Sequence, residues 1–571
     1  MTNTLYTEAG TAVTDTPWEH YPRPQLRRDS YVNLNGWWEF AVSQGAPPVF
    51  NRKIRVPFCP ESPLSGIHEH FPEGTALCYR RSFTLPEGFR KDRVLLHIDA
   101  ADQVLRCYVN KKQVGFHHGG YEAMTFDITD VLQKENTIEL RCTDNLYFQD
   151  YPYGKQSANR GGMWYTPVSG VWQSIWLESV PQDYIHNLRI DNLENGVRIV
   201  VEPALAGTVA VDGLGEFSLV GGAAVITPEN PKWWSPEDPY LYDFTVTTEC
   251  DRVESYFAIR TIESAVVDGV PRLLLNGKPY FFHGLLDQGY WPDGIYTPAD
   301  PSCYAQDIQT AKSMGFNTLR KHIKVEAQEF YYQCDKLGML VFQDMVNNGE
   351  YRYFRDTVLP TLGIQKRKDK NLHNDSALRK RFIKSMEATV RQLGSHPCIV
   401  YWTIFNEGWG QFDSGAVYDR LKFMDDSRII DATSGWFRQK KSDVESIHIY
   451  FNLWHRLKKA KKPLILSEFG GYAHPVIGHL FNTKKSYGYK SCKTPKALQN
   501  GIFKLYRKRI MPAITKKALC GAIYTQLSDV EDEINGLVTY DRKVCKVDEM
   551  AMWGLSANLQ GALTKKKSAV K

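Results

Sequence analysis

The chain has 571 residues and a formal net charge of +6, and its hydrophobic (43%) and charged (23%) fractions are those of a globular protein. This length exceeds one ordinary domain, so we expect about three or four units with separate cores. The mild positive charge comes without a long basic stretch among aromatic residues, which argues against nucleic acid as a partner. No run of about eighteen apolar residues occurs, which argues against a membrane span.

Aromatic residues are frequent, at 13%, with 14 Trp and 31 Tyr. An aromatic face stacks on the apolar face of a sugar, so this excess suits carbohydrate binding, although it also suits the cores of β-sandwiches. The eleven cysteines include no C-x-x-C pair and predict buried free thiols in a reducing compartment. The first ten residues have neither a basic start nor an apolar core, so we expect no signal peptide and a cytoplasmic location.

Residues 1–180 consist, after a polar leader, of short alternating segments separated by Gly and Pro. Apolar and polar residues alternate with a period of two, which predicts a β-sandwich. The clearest strand candidates are residues 36–42, 79–84, 93–98 and 136–141.

A loop at residues 144–167 is too long and too aromatic for a simple connector. Loops of this kind commonly cover a site or pack on a neighbouring domain, and we expect packing to account for most of its aromatic residues. Asp144, at its start, is a candidate for contact with a ligand. The aromatic residues of the loop include Tyr147, Phe148, Tyr151, Tyr153, Trp164 and Tyr165.

Residues 181–264 form a second all-β stretch of about eighty residues. Such a stretch fits an immunoglobulin-like sandwich that has no disulfide. We expect it to act as a spacer between the first unit and the third.

From residue 265 onward, apolar strands alternate with helical patterns, which indicates βα units and a parallel sheet. Eight such units in about three hundred residues predict a (β/α)₈ barrel. No Gly-rich phosphate loop follows a strand, so a nucleotide enzyme is not expected. The eight strand candidates are residues 281–286, 318–323, 340–345, 399–405, 429–434, 446–451, 463–468 and 521–527.

Two glutamates end strands of the predicted barrel: Glu407 ends the fourth and Glu468 the seventh. By itself, Glu407 could equally be an ordinary residue that caps the next helix. The carboxyl ends of barrel strands meet at one rim, so both carboxylates should face the same mouth. Glycoside hydrolysis needs such a pair, and a separation of about 5–5.5 Å would imply the retaining mechanism.

Several segments, in the order in which they occur, resemble glycoside hydrolase family 2, the family of β-galactosidases, β-glucuronidases and β-mannosidases. These are S-G-V-W-Q-S-I-W-L-E at residues 169–178, N-G-K-P at 276–279, G-F-N-T-L-R at 315–320, N-E at 406–407 and S-E-F-G at 467–470. The resemblance implies a multidomain chain: a jelly-roll β-sandwich (1–180), an immunoglobulin-like β-sandwich (181–264) and a catalytic (β/α)₈ TIM barrel (265–571).

The resemblance also implies roles for particular residues. Glu407 would be the general acid/base and Glu468 the nucleophile. Asn406 would hydrogen-bond the 2-hydroxyl of the sugar, Tyr450 would hold the Glu468 carboxylate, and Asp144 would reach from the first domain toward the terminal sugar. Further candidates for substrate contact are His448, Trp436, His322 and Asp287.

The sequence departs from the family where specificity is set. The R-G-x-N-x-H pattern of many members is replaced at residues 283–288, and the glucuronidase N-x-K signature is not matched at 535–537. Basic residues nevertheless gather on the expected rim, where cations would attract an acidic sugar. For the Lys-rich runs, a solvated basic loop is a better explanation than contact with an acidic sugar. Lys321 and His322 are better candidates for such contact, because the end of a strand is rigid. The basic rim residues are Lys321, His322, Lys324, Lys366, Arg367, Lys368, Lys370, Lys484, Lys485, Lys490 and Lys493.

The sequence therefore predicts a retaining exo-β-glycosidase, most simply β-galactosidase-like, that acts on an oligosaccharide or small glycoside. A β-uronidase (glucuronidase or galacturonidase) and a non-catalytic carbohydrate-binding protein are the alternatives. The mechanism requires no cofactor, and no cluster of metal ligands is evident. A homo-oligomer is left open, since multidomain chains of this kind often pair.

Overall fold

The computed structural model describes residues 3–144, 149–361, 368–450 and 453–564. Some residues named above lie outside these ranges: Tyr147, Phe148, Lys366, Arg367 and the end of the predicted sixth strand at Phe451. No helix within the described ranges is long and apolar enough to cross a membrane. All eleven cysteines fall within them and are free thiols, most of them buried.

The N-terminal domain is a β-sandwich of a four-stranded and a six-stranded sheet, with a small two-stranded sheet beside them. Its core is an apolar cluster that includes Trp38, Phe40, Leu96 and Leu140. In spatial order the first sheet contains Val32–Asn33, Ile175–Val180, Arg93–Ile98 and Met124–Asp127. The second contains Arg52–Val56, Gly36–Ser43, Ala76–Phe83, Asn136–Thr143, Val104–Val109 and Lys112–His118. The small sheet pairs Gly170–Val171 with Ala101–Asp102.

The second domain is a smaller sandwich of two antiparallel sheets. One sheet contains Asn187–Asn192, Val197–Glu202 and Ala223–Ile226, and the other Gly215–Leu219, Gly207–Val211, Tyr242–Thr248 and Arg252–Phe257. A three-stranded sheet of Ile262–Val267, Val270–Leu275 and Lys278–Pro279 then leads into the third domain. Arg260 joins the domains, because its buried guanidinium donates to the carbonyl oxygens of Pro397 (2.9 Å) and Ile399 (2.7 Å).

The third domain is a parallel eight-stranded barrel. We label its strands in chain order: β1 (Phe282–Asp287), β2 (Thr318–Lys321), β3 (Leu340–Asp344), β4 (Ile399–Asn406), β5 (Ile429–Ser434), β6 (Glu445–Ile449), β7 (Leu464–Gly470) and β8 (Leu519–Thr525). The hydrogen-bonded order runs from β5 through β4, β3, β2, β1, β8 and β7 to β6. Between β5 and β6 the hydroxyls of Ser434 and Ser446 lie 3.2 Å apart. The predicted fold class is confirmed.

Local sequence sets the helix boundaries around the barrel. The Asp375 carboxylate caps the helix Ser376–Leu393 by accepting from the amides of Ala377 (2.7 Å) and Leu378 (3.2 Å). Gly338, at φ 73°, ends the helix Gln328–Leu337 in the left-handed conformation that glycine adopts most easily. The other helices of the third domain are Ser302–Ser313, Ser414–Met424, Pro495–Leu505, Met511–Lys516 and Glu549–Thr564. Short helical turns are Glu8–Thr11, Pro63–Ser65, Thr129–Val131, Phe354–Val358, Leu359–Thr361, Leu453–Arg456 and Tyr506–Ile510.

One strand boundary near the expected site differs from its prediction. Glu468 lies two residues before the end of β7, because Phe469 and Gly470 still pair with Tyr524 and Thr525 of β8. Its side chain nevertheless belongs to the carboxyl-terminal part of the barrel. A short parallel pair, Tyr472–Ala473 with Lys490–Ser491, follows β7 on this rim.

Candidate active site

The carboxyl ends of β4, β6 and β7 bring three side chains together at the mouth of the barrel. One carboxylate oxygen of Glu407, one of Glu468 and a ring nitrogen of His448 all lie within 4.8 Å of one another. Two carboxylates at this separation fit the geometry of a retaining glycosidase better than that of an inverting one, which needs about 6.5–9.5 Å. The pairing predicted from strand order is therefore present in space.

A sharp turn directs Glu407 into the mouth. Glu407 has φ 53°, which is uncommon outside glycine, and its amide donates to the Ser434 carbonyl oxygen (2.9 Å). Gly408 follows at φ 77°, and a Cβ there would lie 2.3 Å from the Phe437 ring. A non-glycine residue in this conformation costs about 1–3 kcal/mol, and such residues concentrate at functional sites. The turn thus holds Glu407 in a conformation that an ordinary helix cap would not require.

Arg320, the third residue of β2, lies at the centre of the mouth and connects the candidate residues. Its Nη1 donates to Glu468 Oε1 (3.0 Å) and its Nη2 donates to Asn406 Oδ1 (2.8 Å). Its Nε donates to both oxygens of Asp344 (3.0 and 3.1 Å). Because the guanidinium is rigid and planar, it fixes these groups relative to one another. In the sequence, Arg320 stands out only as part of the G-F-N-T-L-R motif, which does not predict its contacts with Glu468 and Asn406.

The surroundings of Glu468 keep it ionised. Burial would raise the pKa of Glu468, but His448, then Arg320, and to a smaller extent His322 and Lys155, outweigh burial and lower the pKa from 4.5 to about 2. Burial lowers the pKa of His322 to about 4, so His322 is neutral at pH 7, and the guanidinium of Arg320 remains a fixed positive charge beside Glu468. Because the folded-state pKa lies below the ordinary value, ionised Glu468 favours the native state above about pH 4.5. This contribution is lost as the pH falls through 2.

Removal of the Arg320 charge should change the pH dependence of activity. If Glu468 is the nucleophile, it acts only when ionised, so we expect activity to be lost as the pH falls through the pKa of Glu468. In Arg320→Met we expect that pKa to rise, moving the acidic limb of kcat/KM up by about one to three pH units. Profiles of kcat/KM between pH 3 and 9 would measure this. Arg320→Lys, which keeps the charge, is the control, and an acidic limb that is the same in Arg320→Met as in the wild type would contradict the assignment.

Tyr450, which directly follows β6, holds the other oxygen of the same carboxylate. Its hydroxyl donates to Glu468 Oε2 (2.7 Å) and lies 2.9 Å from Thr525 Oγ1. Its ring stacks on Tyr489, with 3.7 Å between the ring centroids. Both oxygens of Glu468 are therefore hydrogen-bonded and its orientation is fixed.

His448 has a different place from the one expected of a substrate contact. Its side chain is fully buried, and its Nδ1 lies 2.8 Å from Glu407 Oε1 and 3.5 Å from Glu468 Oε2. Its Nε2 faces Arg320 Nη1 (3.4 Å) and Ser434 Oγ (3.1 Å). Since a guanidinium can only donate, Nε2 accepts and Nδ1 donates to Glu407. His448 therefore positions the two carboxylates, and both of its nitrogens are already engaged.

Glu407, His448 and Glu468 also form a donor set of the kind that binds divalent cations, whereas the sequence analysis found no ligand cluster. The three residues come from three different strands, so their spacing along the chain could not reveal the cluster. Arg320 already supplies positive charge to Glu468 at 3.0 Å. The hydrogen bond between His448 and Glu407 and the ion pair between Arg320 and Glu468 therefore explain why these side chains lie together.

His322 and Trp436 line the mouth beside these groups. His322 Nδ1 lies 2.7 Å from Asp344 Oδ2, and its Nε2 lies 3.9 Å from Glu468 Oε1. The Trp436 ring packs edge-on against His448, with 5.6 Å between centroids. His322 is buried and neutral at pH 7 because of its lowered pKa, so the expectation that it adds a cation to the rim is not met.

The expected cationic rim after β2 is internal. Lys321 Nζ donates to Asp287 Oδ2 (2.6 Å) and Glu326 Oε1 (3.0 Å), and Lys324 Nζ also donates to Glu326 Oε1 (3.0 Å). Asp287 accepts in addition from the amide of Gly289 (2.9 Å). These buried charges neutralise one another. The expectation that Lys321 attracts a ligand is therefore wrong, and Asp287 is held in an ion pair with Lys321.

Asp144 lies at a different cavity from the two catalytic candidates. This cavity, about 360 Å³ in volume, is bounded by Glu61, Phe71, Arg160 and Ser169 as well as Asp144. Asp144 accepts a hydrogen bond from Gln103 Nε2 (2.7 Å). Asp144 therefore contacts residues of the N-terminal domain. Other residues of the loop that follows it contact the barrel.

That loop is bound to the barrel on two sides. Near its start, the amide of Tyr153 donates to the Asn347 carbonyl oxygen (3.0 Å) beyond β3. Near its end, the Tyr165 hydroxyl donates to Glu533 beyond β8, and the amide of Thr166 donates to Glu531 (2.9 Å). Of the two alternatives, packing on a neighbouring domain is therefore observed for this segment.

Aromatic rings from the loop and the barrel meet next to Glu407. Trp164 of the loop stacks on Trp409, two residues after Glu407, with 5.3 Å between centroids and 24° between planes. Tyr351 packs edge-on against both rings. The Trp409 Nε1 and Asn406 Nδ2 atoms are buried and have no hydrogen-bond partner among the described residues. A ligand with hydroxyl groups would satisfy such donors, whose burial alone costs about 1–3 kcal/mol each.

Comparison with known families covers all three domains. Residues 266–547 match the model of the TIM barrel domain of glycosyl hydrolases family 2, residues 66–181 match its sugar binding domain, and residues 189–260 match a further model of the same family. The chain belongs to glycoside hydrolase family 2. The family that the motifs predicted is confirmed.

The curated relatives that match this chain include β-galactosidases. The chain is 26% identical over 437 residues to the β-galactosidase of Thermoanaerobacter pseudethanolicus, covering 70% of this chain and 54% of that protein. It is 23% identical over 516 residues to that of Vibrio cholerae, covering 81% and 45%. The chain therefore spans about half the length of the curated relatives it matches.

Solved family 2 structures match nearly the full length. A β-D-glucuronidase from Dictyoglomus thermophilum aligns with a TM-score of 0.72 at 18% identity, covering 94% of this chain and 98% of that one. A β-galacturonidase from Eisenbergiella tayi, solved with galacturonate, aligns with a TM-score of 0.69 at 16% identity, covering 94% and 99%. At these identities the likeness shows the shared family 2 fold.

Proposed function

We propose that the protein is a retaining exo-β-glycosidase that removes a terminal neutral sugar from an oligosaccharide or small glycoside, most simply a β-galactoside. The observation that carries this proposal is the placement of the Glu407 and Glu468 carboxylates within 4.8 Å at one barrel mouth. Family membership and the β-galactosidase relatives support the reaction class.

The first step forms a glycosyl–enzyme. An oxygen of ionised Glu468 attacks the anomeric carbon, the bond to the leaving oxygen breaks, and that oxygen takes the proton of Glu407. General acid catalysis in this step requires that Glu407 carry the proton it donates. Arg320 and Tyr450 hold the nucleophile through one oxygen each, at 3.0 and 2.7 Å.

The second step returns the enzyme to its starting state. Glu407, now ionised, takes a proton from water, and the water oxygen attacks the anomeric carbon and releases Glu468. Two inversions at one carbon give net retention. His448 Nδ1, at 2.8 Å from Glu407, stabilises the carboxylate form that this step requires.

Contacts between the loop of the N-terminal domain and the barrel support action at a chain end. The loop of the N-terminal domain is hydrogen-bonded to segments beyond β3 and beyond β8, so it crosses one side of the opening. A mouth bordered on this side accommodates a terminal residue and leaves the partly exposed Trp164 and Tyr351 rings for the leaving group. Aromatic rings of this kind stack well on sugar rings.

Charge at the mouth favours a neutral sugar. Lys321 and Lys324 are neutralised by Asp287 and Glu326, and Arg320 is neutralised by Asp344 and Glu468. A uronate would therefore meet few free cations close to the carboxylates. The second candidate is a β-uronidase, and the observation in its favour is Lys155, which reaches the mouth without a carboxylate within 4.0 Å among the described residues.

A panel of nitrophenyl β-glycosides would test the proposal. We expect the purified chain to hydrolyse a neutral member such as the galactoside at least tenfold faster, by kcat/KM, than the glucuronide or galacturonide. NMR of the first-formed sugar should show the β-anomer. Preference for a uronide would favour the second candidate, and no turnover of any member would indicate a carbohydrate-binding protein.

A further inference from the structure

Lys155 is a lysine of the N-terminal domain that lies at the mouth of the barrel. It is only 7% exposed, yet it sits in the loop that crosses from the sandwich. The preceding residue, Gly154, approaches the barrel so closely that a Cβ would lie 3.1 Å from the Ile323 carbonyl oxygen beyond β2. The Lys155 carbonyl oxygen accepts from the amide of Tyr165 (3.0 Å). The backbone around Lys155 is thus fixed on both sides.

The ammonium group lies between aromatic walls near the reaction centre. Lys155 Nζ is 5.7 Å from the centroid of Trp409, two residues beyond Glu407, and 5.6 Å from the centroid of Tyr165. Its charge helps to lower the pKa of Glu468 and acts on Glu533 as well. Lys155 is therefore close enough to both carboxylates to belong to the same polar space.

No protein group in the described ranges accepts a hydrogen bond from this ammonium. A lysine that is only 7% exposed normally finds an acceptor within the protein, because an unpaired charge away from water is costly. By contrast, Lys321 and Lys324 each donate to a carboxylate at 3.0 Å or less. Three N–H donors of Lys155 therefore remain for a ligand.

The negative groups around Lys155 indicate what kind of acceptor fits. Glu468 and Glu533 offset its charge from a distance without forming an ion pair. The Glu533 carboxylate is held by Asn535 Nδ2 (2.8 Å) and by the Tyr165 hydroxyl. A substrate carboxylate would face these two negative groups, whereas a hydroxyl oxygen accepts from the ammonium without that repulsion.

We propose that Lys155 is a specificity-determining residue that donates to the 3-hydroxyl, the 4-hydroxyl or the 6-hydroxyl oxygen of the terminal neutral sugar. The inference rests on the proposed function and deepens it. It assigns to the N-terminal domain a direct contact with the sugar that is cleaved, made by Lys155 instead of Asp144. The N-terminal domain would then contribute to substrate specificity in addition to packing on the barrel.

The test combines Lys155→Met with substrates that lack one hydroxyl. Nitrophenyl β-galactoside is compared with its 3-, 4- and 6-deoxy analogues. On the parent we expect Lys155→Met to lower kcat/KM about 10- to 100-fold, as for loss of a charge-assisted hydrogen bond. On the one analogue that lacks the contacted hydroxyl, mutant and wild type should differ by less than threefold. Equal losses on the parent and on all three analogues would overturn the proposal, as would no loss on the parent.

Two controls separate this contact from other roles. Lys485→Met removes an exposed lysine after β7 and should leave kcat/KM within twofold of wild type. If Lys155→Met lowers kcat/KM only by raising the pKa of Glu468, the acidic limb of the pH profile should move to higher pH. A loss for Lys155→Met that is confined to the glucuronide would mean carboxylate recognition and would overturn the hydroxyl contact.

Calorimetry with free galactose distinguishes the failure of this inference from the failure of the proposed function. Tenfold weaker galactose binding by Lys155→Met, in a protein that hydrolyses no glycoside, would support the contact while removing the enzymatic proposal. Normal hydrolysis by wild type with unchanged binding and kcat/KM in Lys155→Met would remove the contact alone. Absence of both galactose binding and turnover in wild type would overturn both.

Discussion

Glu468→Ala should abolish hydrolysis while the fold is retained. Loss of a nucleophile typically lowers kcat by about 10⁴- to 10⁶-fold, because the covalent route is closed. Azide should partly restore turnover, since it can occupy the space that the carboxylate leaves and attack the anomeric carbon from the same face. The product would then be the α-glycosyl azide, with inverted configuration. Circular dichroism and thermal unfolding would show whether the structure persists.

Glu468→Gln is the matched control for azide rescue. Its amide fills the same space, so azide should restore little activity even though hydrolysis is equally lost. Hydrolysis by Glu468→Ala at the wild-type rate would contradict the assignment of Glu468 as the nucleophile. Formation of a β-glycosyl azide by this variant would show that the two glutamates have the opposite roles.

Glu407→Ala should lose activity in a way that depends on the leaving group. A general acid contributes about 10²- to 10⁴-fold, and this help matters most when the leaving oxygen is basic. Alkyl glycosides and disaccharides should therefore lose nearly all kcat/KM. A dinitrophenyl glycoside should still form the glycosyl–enzyme, which then accumulates because no base activates water. Burst kinetics and mass spectrometry of the intact protein would detect it.

The azide product also distinguishes a proton donor from a nucleophile at Glu407. Its expected anomeric configuration is opposite to that of the product of Glu468→Ala. In Glu407→Ala, azide attacks the glycosyl–enzyme held by Glu468 and should give the β-glycosyl azide. Glu407→Gln serves as the control that keeps the side-chain volume at the strained turn. An equal loss for dinitrophenyl and alkyl substrates would contradict the role of Glu407 as proton donor.

His448 and Arg320 show why the site is more than a pair of carboxylates. Each contacts both a catalytic candidate and another buried polar group, so each orients a charge instead of binding substrate directly. Such groups are arranged before the substrate arrives, which lowers the reorganisation needed in the transition state. The departure of His448 from its expected substrate contact follows from this arrangement.

Much of the architecture could be predicted from local patterns. Alternation with a period of two indicated two sandwiches, and apolar strands separated by helical segments indicated the barrel. Strand order alone placed Glu407 and Glu468 at one rim, because parallel strands in a barrel all end on the same side. These inferences depend on regularities within a few residues, which a single sequence carries.

Charge pairing could not be predicted in the same way. Lys321 and Lys324 looked like free cations, whereas the structure pairs them with Asp287 and Glu326. Lys155 could not be predicted as a site residue, because nothing in its neighbours along the chain shows that it reaches the barrel. Whether a cation is free or neutralised depends on residues that are distant in sequence.

Strand periodicity, motif order and strand ends are local properties, so the sequence alone predicts the fold class, the family and the placement of the two carboxylates at one rim. Which groups surround those carboxylates depends on the tertiary structure. Arg320, His448 and Tyr450 converge from separate strands, and Lys155 arrives from another domain. Hydrogen bonds and Coulomb interactions fall off over a few ångströms, so their partners exist only after the chain has brought distant segments together.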